Sequence, residues 1–134
     1  QGEMAIASTV AHDSHHMIVV GTCAEHMALA ANRLAEVGGG VSVWKDGREL
    51  ALVELPIAGL MSDAPAEEVA AKAAAMVQAM ADCGCHLNNA YMQHSLLALV
   101  VIPDLRISDL GLVDVRKFEL VPVVQEGGQE DADA

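Results

Sequence analysis

The sequence has almost no aromatic side chains: Trp44, Tyr91 and Phe118 are the only three. Aromatic rings supply the stacking platforms on which proteins bind single-stranded nucleic acids, so this composition argues against such a function. Hydrophobic residues nevertheless make up 53% of the chain. The core must therefore be built from aliphatic side chains and methionine, and a chain of 134 residues is long enough for one domain with such a core.

Basic residues are also scarce. Lysine and arginine total 7 against 19 aspartates and glutamates, which gives a net charge of −12. An acidic surface repels phosphate groups, so no nucleic acid partner is expected. Several acids cluster near the C-terminus, and we predict a folded domain over residues 1–124 followed by an acidic disordered tail over residues 125–134.

Long apolar runs and paired cysteines are missing as well. The longest apolar run, residues 96–102, has seven residues, whereas a membrane-spanning helix needs about 20. No membrane association and no signal peptide are predicted. The number of cysteines is odd, which favours reduced thiols and a cytoplasmic location. The chain begins Gln-Gly without an initiator methionine, and we expect it to be part of a longer polypeptide.

Two helices are predicted from their boundary residues. Thr22 and Glu25 match a capping box, in which each side chain bonds a backbone N–H at the start of a helix. Three consecutive glycines at 38–40 end that helix as a turn. A second helix begins near Pro65 and ends before Gly84.

Strands are predicted at residues 4–9 and 17–20, and residues 41–55 predict a hairpin that reverses at Asp46-Gly47 in a type I′ turn. Facing residues in the hairpin follow from this turn by simple counting. The expected pairs are Lys45 with Arg48, Trp44 with Glu49, Val43 with Leu50 and Val41 with Leu52.

The C-terminal third is predicted from apolar runs. Residues 96–102 favour a central strand covered on both faces, residues 106–114 a turn-rich connection, and residues 115–124 a last strand with Phe118 pointing inwards. Together the elements predict an α+β fold: a mostly antiparallel or mixed β-sheet with two main helices packed on one side.

Ligand-type side chains are concentrated in one loop, where His12, Asp13, His15 and His16 lie within five residues of one another. Imidazole and carboxylate groups bind zinc, manganese or iron(II), and histidine also transfers protons near neutral pH. His12, Asp13 and His15 are therefore candidate metal ligands. The alternative, which the residues alone favour, is a hydrogen-bonded loop that anchors the following strand.

Other candidates are weaker. Cys83, Cys85 and His86 suggest a soft metal site or a redox pair, but no second pair stands at a zinc-binding spacing, so a structural role is favoured. His26 and His94 are single histidines without a sequence partner.

Several separated motifs follow one family's order. They are residues 11–15 with the apolar strand and Gly21 after them, the glycines at 38–40, and residues 55–62, 101–103 and 108–114. Over residues 8–121 the chain resembles the C-terminal domain of bacterial adenine deaminases, which belong to the amidohydrolase superfamily. That family usually has asparagine where this chain has His16.

The resemblance implies a metal-dependent hydrolase that converts adenine and water to hypoxanthine and ammonia, with a metal-bound hydroxide attacking C6 of the purine. A divalent metal (Mn, Fe or Zn) is held mainly by a (β/α)8 barrel, which is expected upstream or in trans. This chain has no room for that barrel, so it is expected to be an accessory domain that is inactive alone.

The resemblance also ranks the loop residues. Asp13 and His15 are expected to contribute to catalysis, His12, Asp13 and His15 to bind metal, and Ser14 and His16 to lie on the substrate side. Two alternatives stay open: a free-standing module that binds a metal or small ligand through this loop, and a structural domain that forms an oligomer interface, including a homo-oligomer.

Overall fold

The computed structural model describes residues 2–10 and 16–124. The strands in this part of the chain are β1 Met4–Ser8, β2 Ile18–Gly21, β3 Gly40–Lys45, β4 Arg48–Glu54, β5 Leu105–Ser108, β6 Gly111–Asp114 and β7 Glu119–Val121. The helices are α1 Ala24–Val37, α2 Ala66–Asp82 and α3 Ala90–Ser95, and α3 continues into a 3-10 turn at Leu96–Ala98.

The strands form two antiparallel sheets. The larger sheet has the order β2-β1-β3-β4 and the smaller one the order β5-β6-β7. The predicted α+β class with antiparallel pairing is therefore confirmed. The predicted tail, residues 125–134, lies outside the described residues, and the domain boundary at residue 124 stays a prediction.

The two long helices cover opposite faces of the larger sheet. Side chains alternate along a strand, so Ile6 of β1 points to one face, where it packs with Met76 of α2. Ala5 and Ala7 point to the other face, where they pack with Leu34 of α1. The prediction that both helices lie on one side is wrong, because β1 is apolar on both faces and each face needs its own cover.

The hairpin turn forms as predicted. Asp46 and Gly47 have φ values of 48° and 76°, and two successive positive φ values are the signature of a type I′ turn. The two predicted pairs nearest the turn, Lys45 with Arg48 and Trp44 with Glu49, are confirmed.

Farther from the turn, a β-bulge between Val43 and Trp44 shifts the register by one residue. Leu50 becomes the extra residue and is 40% exposed. A bulge reverses which face each later residue occupies, so Leu52 packs with the α1 side of the sheet. The predicted pairs of Val43 with Leu50 and Val41 with Leu52 are wrong; the partners are Ala51 and Val53.

The helix ends are set mainly by glycine. In α1 the left-handed Gly38 and a bond from the Gly39 N–H to the Leu34 carbonyl form the predicted stop. The capping box is wrong, because Cys23 is the N-cap and Thr22 instead donates to and accepts from the backbone of β1. α2 follows Pro65 and ends before Gly84, as predicted.

The C-terminal third differs most from expectation. Residues 96–102 form a 3-10 turn and a bend rather than a central strand, since β1 and β3 already fill the centre of the larger sheet. Residues 106–114 are mostly the β5–β6 hairpin rather than an irregular connection. Only Glu119–Val121 of the predicted last strand is extended, and Phe118, at φ 56°, is 80% exposed rather than inward.

None of the described helices combines the length and apolar character needed to cross a membrane. The cysteines Cys23, Cys83 and Cys85 are all free thiols.

Candidate functional site

A cavity of about 530 Å³ opens beside β2, which is an edge strand of the larger sheet in the described part of the chain. Residues 16–20 form one wall, Leu97 and Ala98 of the 3-10 turn form a second, and residues 107–109 of the β5–β6 hairpin form a third. The cavity thus lies where the two sheets approach each other. Most of its wall is aliphatic with a few polar groups, which is the usual composition of a ligand-binding cleft.

The polar side chains of this cavity are His16, Ser108 and Asp109. The Ser108 hydroxyl donates to the Gly111 carbonyl at 2.9 Å and accepts the Leu110 N–H at 3.2 Å. Both bonds stabilise the hairpin turn, so the Ser108 hydroxyl already has a donor and an acceptor partner within the turn. His16 and Asp109 are exposed, so an imidazole and a carboxylate are the groups the wall can offer to a ligand.

The predicted site residues are His12, Asp13, Ser14, His15 and His16. His12, Asp13, Ser14 and His15 lie outside the described residues, and their predicted roles stay predictions. His16, predicted on the substrate side, is described and lines the cavity. The structure also brings to that cavity Asp109, which belongs to a motif more than ninety positions away in sequence.

The other end of the same loop is anchored at Thr9. Its hydroxyl accepts the Gly40 N–H at 2.7 Å and donates to the Gly59 carbonyl at 2.7 Å. Gly39 and Gly59 allow this approach, because a Cβ on Gly39 would lie 2.5 Å from Cα of Gly59. The glycines at 38–40 and the 55–62 segment therefore meet at the start of the histidine loop.

A second cavity, of about 230 Å³, lies between α2, the larger sheet and α3. It is lined by Val10 and by side chains such as Val53, Met76 and Met92, with Tyr91 as its one residue that carries a polar side-chain group. Such a wall offers no acid–base pair. It is an apolar pocket next to the loop, without chemistry of its own.

The described residues contain one group of three metal-type ligands, which sequence reasoning missed: Glu3, Cys23 and His26. Their ligand atoms lie within 4.8 Å of one another. His26 is buried, and its Nδ1 is 2.8 Å from Cys23 Sγ and 3.5 Å from Glu3 Oε2. The spacing of Cys23 and His26 at the start of a helix was the only available signal, since residues three apart share a helix face.

This cluster does not fit a metal. The Gly47 N–H donates to Nε2 of His26 at 2.6 Å, so Nε2 supplies the lone pair and the neutral ring carries its proton on Nδ1. A metal ligand must present a lone pair, and Nδ1–H instead points to Cys23 and Glu3. His26 acts as a clamp between α1 and the hairpin turn.

The remaining cysteine and histidine candidates are Cys83, Cys85, His86 and His94. Burial raises the pKa of the Cys83 thiol, so less of it is present as thiolate, the reactive form. Burial lowers the pKa of His94 and keeps its ring neutral near pH 7. Among the described residues, Cys83, Cys85 and His86 do not form a three-ligand group.

The comparison with protein families decides the wider assignment. The family model described as "Adenine deaminase C-terminal domain" matches residues 1–119. The chain belongs to this family. The resemblance drawn from the separated motifs is therefore confirmed. Among the described residues, the glycines at 38–40 and the 55–62 segment meet at Thr9, and residues 108–109 of another motif line the cavity beside β2.

Relatives of this domain are parts of longer proteins. The adenine deaminase of Ruegeria pomeroyi is 80% identical over 125 residues, which are 93% of this chain and 21% of that protein. The adenine deaminase of Roseobacter denitrificans gives the same values. That of Moorella thermoacetica is 52% identical over 120 residues, 90% of this chain and 20% of that protein. The chain thus spans about a fifth of the length of these curated relatives, which disfavours a free-standing binding module.

Proposed function

We propose that this domain is the accessory part of an adenine deaminase, which converts adenine and water to hypoxanthine and ammonia. The proposal rests on the family match over residues 1–119. It also rests on the relatives named adenine deaminase, in which the region matching this chain is about a fifth of the length. The catalytic part is the remaining four fifths. The enzyme is proposed to act in the cytoplasm, in keeping with three free cysteines.

Within that enzyme, we propose that the loop ending at His16 faces the substrate. A loop with His12, Asp13 and His15 is costly to bury without partners, and its described end, His16, lies on a cavity wall. Asp13 and His15 are proposed to contribute to catalysis, with Ser14 and His16 beside the substrate. Asp109 joins them as a carboxylate at the same cavity.

A divalent metal (Mn, Fe or Zn) is proposed for the complete enzyme, where it would polarise water and lower its pKa. The only three-ligand group among the described residues, around His26, does not fit a metal. Nε2 of His26 already accepts the Gly47 N–H, which leaves the ring proton on Nδ1, the atom that faces the other two ligands. We propose that the main ligands lie outside this chain. His12, Asp13 and His15 are proposed as additional metal contacts.

The test uses a hybrid in which this chain replaces the C-terminal fifth of the Ruegeria pomeroyi enzyme. With adenine and Mn²⁺, the hybrid is expected to release hypoxanthine and ammonia, whereas the chain alone is expected to release neither. Ammonia release and loss of adenine absorbance measure the reaction. Hypoxanthine production by the chain alone, or an inactive hybrid beside an active parent enzyme, would refute the proposal.

The loop is tested in the same hybrid. His12→Ala and His15→Ala are expected to lower kcat/KM by at least about tenfold, the effect of losing one hydrogen bond or charge contact in a closed site. His86→Ala is the matched control, because His86 is exposed and does not line the cavity. Equal activity of all three variants would mean that the loop does not contribute to the active site.

A further inference from the structure

The smaller sheet carries aliphatic side chains that the described domain leaves uncovered. Leu105 is 46% exposed and Ile107 is 58% exposed, although both belong to regular strand β5. Single exposed apolar residues are ordinary, but contiguous ones on a sheet face mark an interaction surface.

Register places three aliphatic side chains side by side. Ile107 pairs with Leu112 of β6, and Leu112 pairs with Val121 of β7. Paired residues in antiparallel strands project from the same face, so these three form one row across the whole sheet, which we name the aliphatic row. Ile107 is exposed, and Leu112 and Val121 are half-buried. Ile107 also lines the cavity beside β2, and the row therefore continues the cavity wall.

Little of the described domain supports this sheet. Its main contact with other elements runs between β5 and the 3-10 turn at Leu96–Ala98. A three-stranded sheet gains independent stability by packing a hydrophobic face against another element. The aliphatic row has the composition of a packed face, yet neither α1 nor α2 packs extensively against this sheet.

The charge of this region is also unlike that of the rest of the chain. Residues 105–121 contain three basic and three acidic side chains, in a chain with a net charge of −12. Charge around the aliphatic row is thus balanced. A balanced rim around an apolar centre is the usual make-up of a protein interface.

We propose that the aliphatic row is the surface on which this domain docks against the upstream four fifths of its own deaminase polypeptide. The inference rests on the proposed function, because it takes its partner from the relatives' extra length. A tethered partner meets the row at a high effective concentration, so even a small surface suffices.

The size of the row argues against a second free copy as the occupant. Three strands of about four residues make a face of roughly 13 Å by 14 Å, or about 200 Å². A stable interface between separate proteins needs about 800 Å² on each partner. Two copies, each with a net charge of −12, would in addition repel each other.

Hydrogen–deuterium exchange tests the docking surface. Amides of residues 105–121 are expected to exchange at least about tenfold more slowly in the Ruegeria pomeroyi hybrid than in the chain alone, because the partner covers the sheet. Ile107→Glu is expected to abolish this protection, and Ile107→Val, which keeps the row aliphatic, is expected to retain it.

Two further variants keep the test decisive. Leu105→Lys removes apolar surface beside the aliphatic row, on the same face of β5, but can pair with Asp114, its cross-strand neighbour. It is expected to weaken the protection, so it tests this face of the sheet even if Ile107→Glu disturbs the sheet. Val77→Glu is the matched control: Val77 is 50% exposed, similar to Ile107, but lies on α2. It is expected to leave the protection unchanged.

The outcomes separate this inference from the proposed function. Protection without hypoxanthine release would support docking and refute the deaminase role. Hypoxanthine release without protection of residues 105–121 would overturn the docking surface alone. Protection that grows with the concentration of the isolated chain would assign the row to a second copy and also overturn the proposal.

Discussion

The backbone N–H of Gly47 donates to Nε2 of His26 across 2.6 Å. This bond joins the tight turn of the β3–β4 hairpin to the first turns of α1, which are twenty-one positions apart in sequence. It also sets the tautomer of a buried ring. The geometry that resembles a metal site is thereby a structural clamp.

The clamp predicts different effects for two substitutions of His26. His26→Leu leaves the Gly47 N–H without its acceptor and is expected to lower the free energy of unfolding by about 1–3 kcal/mol. In His26→Gln the amide oxygen can take the place of Nε2, so a smaller loss is expected. Urea unfolding followed by circular dichroism measures both, and equal losses would mean that packing rather than the hydrogen bond explains the role of His26.

Gly40 and Gly47 provide a matched pair of glycines with positive φ. A Cβ on Gly40 would lie 2.0 Å from the Val53 carbonyl oxygen, whereas one on Gly47 would meet nothing within 4 Å. Gly40→Ala is expected to cost more than about 4 kcal/mol, in the range of severe disruptions. Gly47→Ala is expected to cost only about 1 kcal/mol, the strain of a left-handed alanine. Thermal unfolding of the two variants checks the order, and similar melting temperatures would contradict the close approach of β3 and β4.

The ion pair between Lys72 of α2 and Glu54 of β4 predicts a pH dependence. The Lys72 ammonium donates to the Glu54 carboxylate at 2.8 Å and lowers the pKa of that carboxyl. A depressed pKa adds stability above the usual glutamate value of about 4.3, and this stability is lost as pH falls through the lowered value. Because the pair is about one third exposed, its contribution is expected to be below about 1 kcal/mol.

Urea unfolding of Glu54→Gln at two pH values measures this contribution. The variant is expected to be less stable than the parent chain at pH 7. This difference in the free energy of unfolding is expected to shrink in acid, where Glu54 of the parent chain is protonated in both the folded and the unfolded state. Asp63→Asn, at an exposed residue for which the described structure shows no ion pair, is the control. A difference that persists unchanged in acid would assign the effect to packing instead of charge.

Local signals explain which parts of the fold could be predicted. The type I′ turn and the helix ends at Gly38 and Gly84 follow from conformations that glycine adopts easily, and these predictions are confirmed. The bulge beside Val43 could not be predicted, because it depends on which face of β4 the helices cover. An apolar run such as residues 96–102 suits a strand or a turn equally, and only the filled centre of the larger sheet decides between them.

The same limit applies to the candidate site. A dense run of histidines drew attention to His16, which does line a cavity. Asp109 and the His26 clamp escaped notice because their partners are distant in sequence and meet only through sheet packing. Side-chain types show what chemistry is available, whereas tertiary contacts decide which groups meet and which lone pairs are free.

His16 allows a direct test of the cavity in the Ruegeria pomeroyi hybrid. His16→Asn introduces the residue that the resemblance predicts at this position and preserves a polar group on the wall, so kcat/KM is expected to change by less than about threefold. His16→Leu removes the hydrogen-bonding group and is expected to lower kcat/KM about tenfold, equivalent to roughly 1.4 kcal/mol. Steady-state kinetics with adenine compare the two. If the leucine variant were as active as the asparagine variant, the imidazole would have no contact with substrate and the cavity would lie apart from the reaction.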